Sequence, residues 1–256
     1  MVARADLKPD TLVPAKVHPS PNHGERRDAR RPDMLLLHYT GMPTAAGALS
    51  RLCDPTSGVS SHYLVLEDGR ILQLVPEARR AWHAGVGAWA GDRDINSCSI
   101  GIEIAHPGHE GGLPPYPDAQ IEAVAALSRD IAERWSIPPE RVLGHSDVAP
   151  DRKEDPGENF PWGRLHAEGV GHWVEPAPVR EGRVFAKGDQ GPSVEALQAM
   201  LALYGYPIAL GGVFDEAMTA VVTAFQHHFR QELVDGRADL STIETLRALL
   251  RALPGR

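Results

Sequence analysis

Residues 99–106 read SIGIEIAH. Ile100, Ile102 and Ile104 alternate with Gly101, Glu103 and Ala105, a period of two that sends the isoleucines to one face of a strand and Glu103 to the other. One face is expected to pack and the other to stay available. Upstream, MLLLHYT (34–40) is a short apolar run bounded by Pro32 and Gly41, as expected of a buried strand, and TAAGALSRLC (44–53) has helical spacing. SHYLVLEDGRILQLV (61–75) holds two strand-like runs around Glu67-Asp68-Gly69, where the Asp-Gly pair favours a tight turn and predicts a hairpin. Downstream, Asp118 is expected to cap a helix running to about Trp135, with Ile121, Val124, Leu127, Ile131 and Trp135 recurring at three- and four-residue steps. That stripe should lie on the sheet. The helix must stop before Ile137-Pro138-Pro139, because a residue preceding proline is pushed out of helical geometry, and RVLGH (141–145) follows as a short strand.

The chain has 256 residues, enough for a medium and a small domain. Residues 1–33 are rich in Pro, charge and small polar groups and read as an extended N-terminal arm, followed by a larger domain of strands and helices over 34–175. Pro and Gly gather again in EPAPVREG, giving a linker at 176–182. Beyond it, residues 183–256 carry three helical patterns: Val194, Leu197 and Leu201; Val221, Val222, Phe225 and Phe229; Ile243, Leu246, Leu249 and Leu250. They predict a small three-helix domain. Hydrophobic residues at 42% and charged residues at 23% are ordinary for a globular chain. A net charge of −8 argues against a nucleic-acid partner held through its phosphates. No apolar run approaches the roughly 18 residues of a membrane span. Cys53 and Cys98 form no CxxC motif and are expected to be reduced, buried thiols.

GHSDVAPDRKEDPGENFPW (144–162) follows neither a helical nor a strand period and reads as a loop dense in ionisable groups. His145 and Asp155 are ten apart across Pro150, so the loop can fold back and bring them together. His38, at the end of the first predicted strand, is the best third ligand. Two histidines and one carboxylate leave the fourth tetrahedral position of Zn²⁺ to water, the catalytic arrangement. Such an ion suits hydrolysis of an unactivated amide. Glu103 is then the candidate for proton transfer, and Lys153 for stabilising the oxyanion that develops. Spacing alone leaves ordinary alternatives open: hydrogen-bonded packing for the histidines, a solvent-facing strand position for Glu103, a solvated charge run for Lys153.

Five blocks in order, LLLHYTG, SSHYLVLEDG, AWHAG, INSCSIGIEI and GHSDVAPDRKEDPG, resemble the zinc-dependent N-acetylmuramoyl-L-alanine amidases of the type-2 class. These are relatives of peptidoglycan-recognition proteins and phage amidases, and the resemblance covers about residues 30–175. It implies an α/β fold, a central mixed β-sheet flanked by helices, with zinc at His38, His145 and Asp155 and a catalytic pair at Glu103 and Lys153. It further implies cleavage of the amide joining the lactyl group of N-acetylmuramic acid to the L-alanine of the stem peptide. Trp82, His83 and Asn96 match segments that line the family's substrate groove, with core packing an equal alternative for Trp82. His62 also falls in a family block and reads as a structural histidine outside the metal set. The C-terminal unit resembles the three-helix peptidoglycan-binding module of wall hydrolases and implies a hold on glycan or muropeptide.

The resemblance therefore implies a zinc amidase acting on peptidoglycan fragments, the 1,6-anhydro muropeptides of recycling included. A recognition protein that binds such fragments without cutting them is the alternative. The N-terminus has no apolar segment behind a basic start, so a cytoplasmic location is expected. A wall-binding module points instead to the periplasm.

Overall fold

The computed structural model describes residues 8–253. The first seven residues of the expected arm and the last three of the expected C-terminal domain lie outside the described residues. The chain divides into two compact units, Met1–Gly85 with Asn96–Val142, and Val86–Ile95 with Leu143–Arg256.

In the first unit the chain begins with β1 (Ala15–Val17) and β2 (His23–Gly24). Next come β3 (Met34–Tyr39), α1 (Ala45–Cys53), β4 (Tyr63–Val65), β5 (Ile71–Gln73) and β6 (Arg80–Ala81). A short turn of helix α2 (Ile95–Cys98) leads into β7 (Ser99–Ile104), and α3 (Asp118–Trp135) precedes β8 (Val142–Gly144), where the chain crosses into the second unit. The sheet order is β1-β5-β4-β7-β3-β8, with β2 and β6 paired separately. β7 runs parallel to both β3 and β4, while β4 and β5 form the expected antiparallel hairpin. Its turn closes through Gly69, whose φ of +81° is a left-handed value that suits glycine. The sheet is therefore mixed, as expected.

Met34, Leu35, Leu36 and Leu37 of β3 are all buried, which is the mark of a strand covered on both faces. β7 departs from its alternation for the same reason. Ser99 and Gly101 are as buried as the isoleucines between them, and Glu103 alone in the strand is partly exposed. A central strand between parallel neighbours has no solvated face. α3 buries Ile121, Val124, Leu127 and Ile131 along the predicted stripe. Asp118 is its first helical residue, and the capping position falls to Pro117, whose ring supplies no acceptor. An acidic side chain there still suits the helix dipole. The helix ends at Ser136, which takes the left-handed conformation (φ 56°) ahead of the prolines.

The stretch expected as an arm is held closely. Ala15–Val17 adds to the sheet edge parallel to β5, and Ser20 Oγ donates to the Leu52 carbonyl (2.6 Å). Arg26 is buried and donates to the carbonyls of Glu77, Ser97 and Ser99. A three-residue strand is too short to leave a hydrophobic period in the sequence, which is why composition alone reads it as loose.

In the second unit, α4 (His145–Val148) and α5 (Trp162–Ala167) precede the three predicted helices, α6 (Pro192–Tyr204), α7 (Glu216–Phe229) and α8 (Leu240–Ala252). Pro192 opens α6, where its missing N–H costs nothing. Asp215 and Asp239 cap α7 and α8, accepting from Met218 N (2.9 Å) and Thr242 N (2.7 Å). Ile243 and Leu250 of the α8 pattern are only half-buried. Neither cysteine is in a disulfide; Cys98 is buried and Cys53 half-buried. Among the described residues no helix is long and apolar enough to cross a membrane.

One buried carboxylate ties the first unit together. Glu77 accepts from both terminal nitrogens of Arg134 (2.6 and 2.7 Å), from Tyr63 Oη (2.7 Å) and from Trp135 Nε1 (2.6 Å). Burial, then the Glu77 charge, holds the Tyr63 phenol far above its usual range. Replacing Glu77 with Ala leaves Arg134 with Asp130 alone and the Tyr63 and Trp135 donors unmatched, and should destabilise the protein by about 3–5 kcal/mol. Urea unfolding followed through tryptophan fluorescence measures it.

Candidate metal centre

Strand register builds one half of the centre. In the parallel pair, His38 of β3 lies opposite Glu103 of β7, so both side chains leave the same face of the sheet. Two residues earlier on that face, Leu36 lies opposite Gly101. A Cβ at Gly101 would sit 2.6 Å from the ring of His83, so only glycine lets that imidazole lie against the strand. His83 Nδ1 is 3.0 Å from His38 Nε2, and His83 Nε2 is 3.3 Å from Ser99 Oγ. With His38 Nε2–H donating to His83, His83 donates on to the Ser99 hydroxyl, and His38 Nδ1 carries the lone pair that a cation requires. A ligating histidine is characteristically steadied in this way through its second nitrogen.

Asn96 holds His83 in turn, its Oδ1 accepting from His83 N (3.1 Å) and Ala84 N (2.9 Å). His62 lies beneath. Its Nδ1 accepts from Gly101 N (2.9 Å), which places the proton on Nε2, facing the Arg79 carbonyl at 3.0 Å. Burial, reinforced by the Arg26 charge, pushes its pKa down to about 3. It is a neutral structural histidine, as the sequence suggests.

The other half comes from the quoted loop. His145 opens α4 immediately after β8, and Gly144 before it is pressed so closely that a Cβ would lie 2.8 Å from Pro156 Cδ. The chain folds back as its spacing predicts: His145 Nδ1 is 3.1 Å from Asp155 Oδ2, and Ser146 N donates to the Asp155 carbonyl (3.0 Å). Both ligand candidates are buried. Lys153, two residues before Asp155, is half-buried and its backbone N donates to the Ala149 carbonyl (3.1 Å).

His38, His145 and Asp155 make a buried His/His/Asp group able to hold a metal ion. Two imidazoles, which bind in their neutral form, and one carboxylate fit zinc and leave a coordination position for water or substrate. Such a donor set beside a mixed sheet is of the kind that metal-dependent hydrolases use.

The chain belongs to the N-acetylmuramoyl-L-alanine amidase family, whose model matches residues 28–158. A second model, of a peptidoglycan binding domain, matches residues 190–246. The N-acetylmuramoyl-L-alanine amidase AmiD of Escherichia coli is 38% identical over 85% of this chain and 82% of its own. The 1,6-anhydro-N-acetylmuramyl-L-alanine amidase AmpD of Enterobacter cloacae is 35% identical over 61% of this chain and 90% of its own. The solved complex of the E. coli AmiD with the substrate anhydro-N-acetylmuramic acid-L-Ala-D-γ-Glu-L-Lys superposes with a TM-score of 0.75, covering 86% of this chain and 89% of that one. These relatives are amidases, and the alternative of a recognition protein that does not cut is set aside.

The remaining sequence candidates fall differently. Trp82 is half-buried, with its backbone N donating to Ser60 Oγ (2.9 Å). His83 and Asn96, expected to line a groove, are buried, with the His83 ring nitrogens facing His38 and Ser99 and Asn96 Oδ1 accepting from His83 N and Ala84 N. The sequence carries no periodic signal for that role; the one hint was Gly101 within an isoleucine strand, which marks a close approach.

His62 makes stability depend on pH. Its folded pKa of about 3 lies below the unfolded value, so its contribution is complete above about pH 6.5 and is lost as pH falls. Between pH 7 and pH 5 the wild type should lose about 2 kcal/mol more than His62→Gln. Urea midpoints at the two pH values measure the difference.

Proposed function

We propose that this chain uses zinc, held by His38, His145 and Asp155, to hydrolyse the amide between N-acetylmuramic acid and the L-alanine of the stem peptide in muropeptides. The observation that carries the reading is the buried His/His/Asp donor set, with His38 opposite Glu103 in the strand register. The substrate in the E. coli AmiD complex and the name of the E. cloacae relative support the 1,6-anhydro form as the substrate class, and with it a place in wall recycling or turnover.

Zinc, when bound, supplies a Lewis acid and lowers the pKa of its water to about 7. Glu103 accepts the proton of the attacking water and returns it to the departing amine of L-alanine, whose free N-terminus is the product. Lys153 brings an ammonium to the oxyanion that develops on the lactyl carbonyl. His83, braced by Asn96 and admitted by Gly101, keeps His38 in the tautomer that leaves Nδ1 for the metal. Trp82 contributes surface to the bound muropeptide. Residues 183–256 hold the enzyme near glycan and raise the local substrate concentration. Cytoplasmic enzyme would meet soluble fragments and periplasmic enzyme the wall itself; fractionation of native cells distinguishes the two.

Purified protein should contain one zinc per chain and release an L-alanine-terminated peptide from defined muropeptides, read by mass analysis. Chelation and Asp155→Ala should each abolish release. Glu103→Gln should keep the metal and lower kcat by about 10²–10⁴. Absence of stoichiometric metal, or full hydrolysis by Asp155→Ala, overturns the reading.

A further inference from the structure

Asp147 lies two residues after His145, is 0% exposed, and is not used by the mechanism above. Its carboxylate receives three hydrogen bonds. Gly144 N donates to Oδ2 (2.8 Å), closing the N-terminal end of α4 just before the metal ligand. The other two come from the helical module: Tyr206 Oη donates to Oδ1 (2.6 Å), and His228 Nδ1 to Oδ2 (2.7 Å). These donors are distant in sequence, 59 and 81 residues away.

They are themselves firmly held. The His228 ring stacks on Trp162, with centroids 3.6 Å apart and planes inclined by 21°. Tyr206 packs edge-on against Trp89 (4.9 Å), and the neighbouring Ala90 N donates to the Gly205 carbonyl (2.8 Å). Burial, then the Asp147 charge, holds the Tyr206 hydroxyl in its protonated, donating form.

We infer that the helical module is a positioning device for the metal-binding turn, acting through Tyr206 and His228 on Asp147. The inference rests on the proposed metal role of His145 and goes beyond tethering. α4 is a single turn, and one turn has too few internal hydrogen bonds to fix its own geometry. Its shape is imposed from outside, by Asp147 at its start and by the Ser146 N to Asp155 carbonyl bond that joins the two ligands. A buried carboxylate stays where its donors are, because every lost partner leaves charge unsatisfied. Two of its three donors belong to the module, so the module determines where the His145 imidazole starts.

The test uses the full chain with Tyr206→Phe, His228→Ala and His228→Asn, the last restoring an N–H donor near the Nδ1 position. Leu249→Ala, a buried change in α8 remote in sequence from these contacts, serves as a control for general destabilisation. Zinc affinity, by competition with a chromophoric chelator, should weaken about 10-fold or more in Tyr206→Phe and His228→Ala. It should recover in His228→Asn and stay at the wild-type value in Leu249→Ala. On a small soluble muropeptide, which tethering cannot help, kcat should fall with KM little changed. In chelated protein, amide exchange at Gly144 should rise selectively in the first two variants. That arm stands whether or not zinc is the native metal: a metal-free wild type would overturn the proposed function, whereas unchanged Gly144 exchange overturns the positioning role. Zinc affinity within twofold of wild type in both variants, or an equal loss in Leu249→Ala, overturns it as well.

Discussion

The parallel pairing of β3 with β7 is the constraint on which the rest depends. Its register runs from Met34 opposite Ser99 to Tyr39 opposite Ile104, and one residue of slip would send His38 and Glu103 to opposite faces of the sheet. The slip is resisted by burial. Either the four consecutive apolar side chains of β3 or the three isoleucines of β7 would have to change face and repack. Hydrophobic packing that carries no chemistry thus decides where the proposed ligand His38 and the proposed proton carrier Glu103 stand. Gly101 belongs to the same device, since the missing side chain opposite Leu36 is the space that the His83 ring fills.

Buried polar groups do the finer positioning, and each is satisfied from several directions. Glu77 gathers Arg134, Tyr63 and Trp135; Arg26 gathers backbone carbonyls at the end of α2 and the start of β7; Asp147 gathers Gly144, Tyr206 and His228. Fully partnered, such groups specify one arrangement; partly partnered, they would be costly. His62 shows the accompanying electrostatic cost. It accepts the Gly101 N–H and lies beside a buried guanidinium only by remaining neutral. The scaffold behind His38 is thereby weakened in acid.

Much of this was legible along the chain. The β3 run, the Asp-Gly hairpin, the α3 stripe and the three C-terminal helices follow from local periods and turn chemistry. The return of the 144–162 loop follows from spacing, since Asp155 does come back to His145. β1, β2 and β6 were not legible, because strands of two or three residues take their stability from the edge they join rather than from their own pattern. Nor was the cap of α3 at Pro117, nor the covering of both faces of β7.

The sequence by itself determined the family, the element types, the donor residues and the presence of a helical module, because motifs, periods and residue chemistry are local properties. Tertiary structure alone decided that His83 braces His38 and that Asn96 braces His83. It also decided that Asp147 answers to a tyrosine and a histidine contributed from the module. These are contacts between residues 13 to 81 positions apart, chosen by which buried donors and acceptors must be matched once the chain has packed. No local pattern encodes that matching.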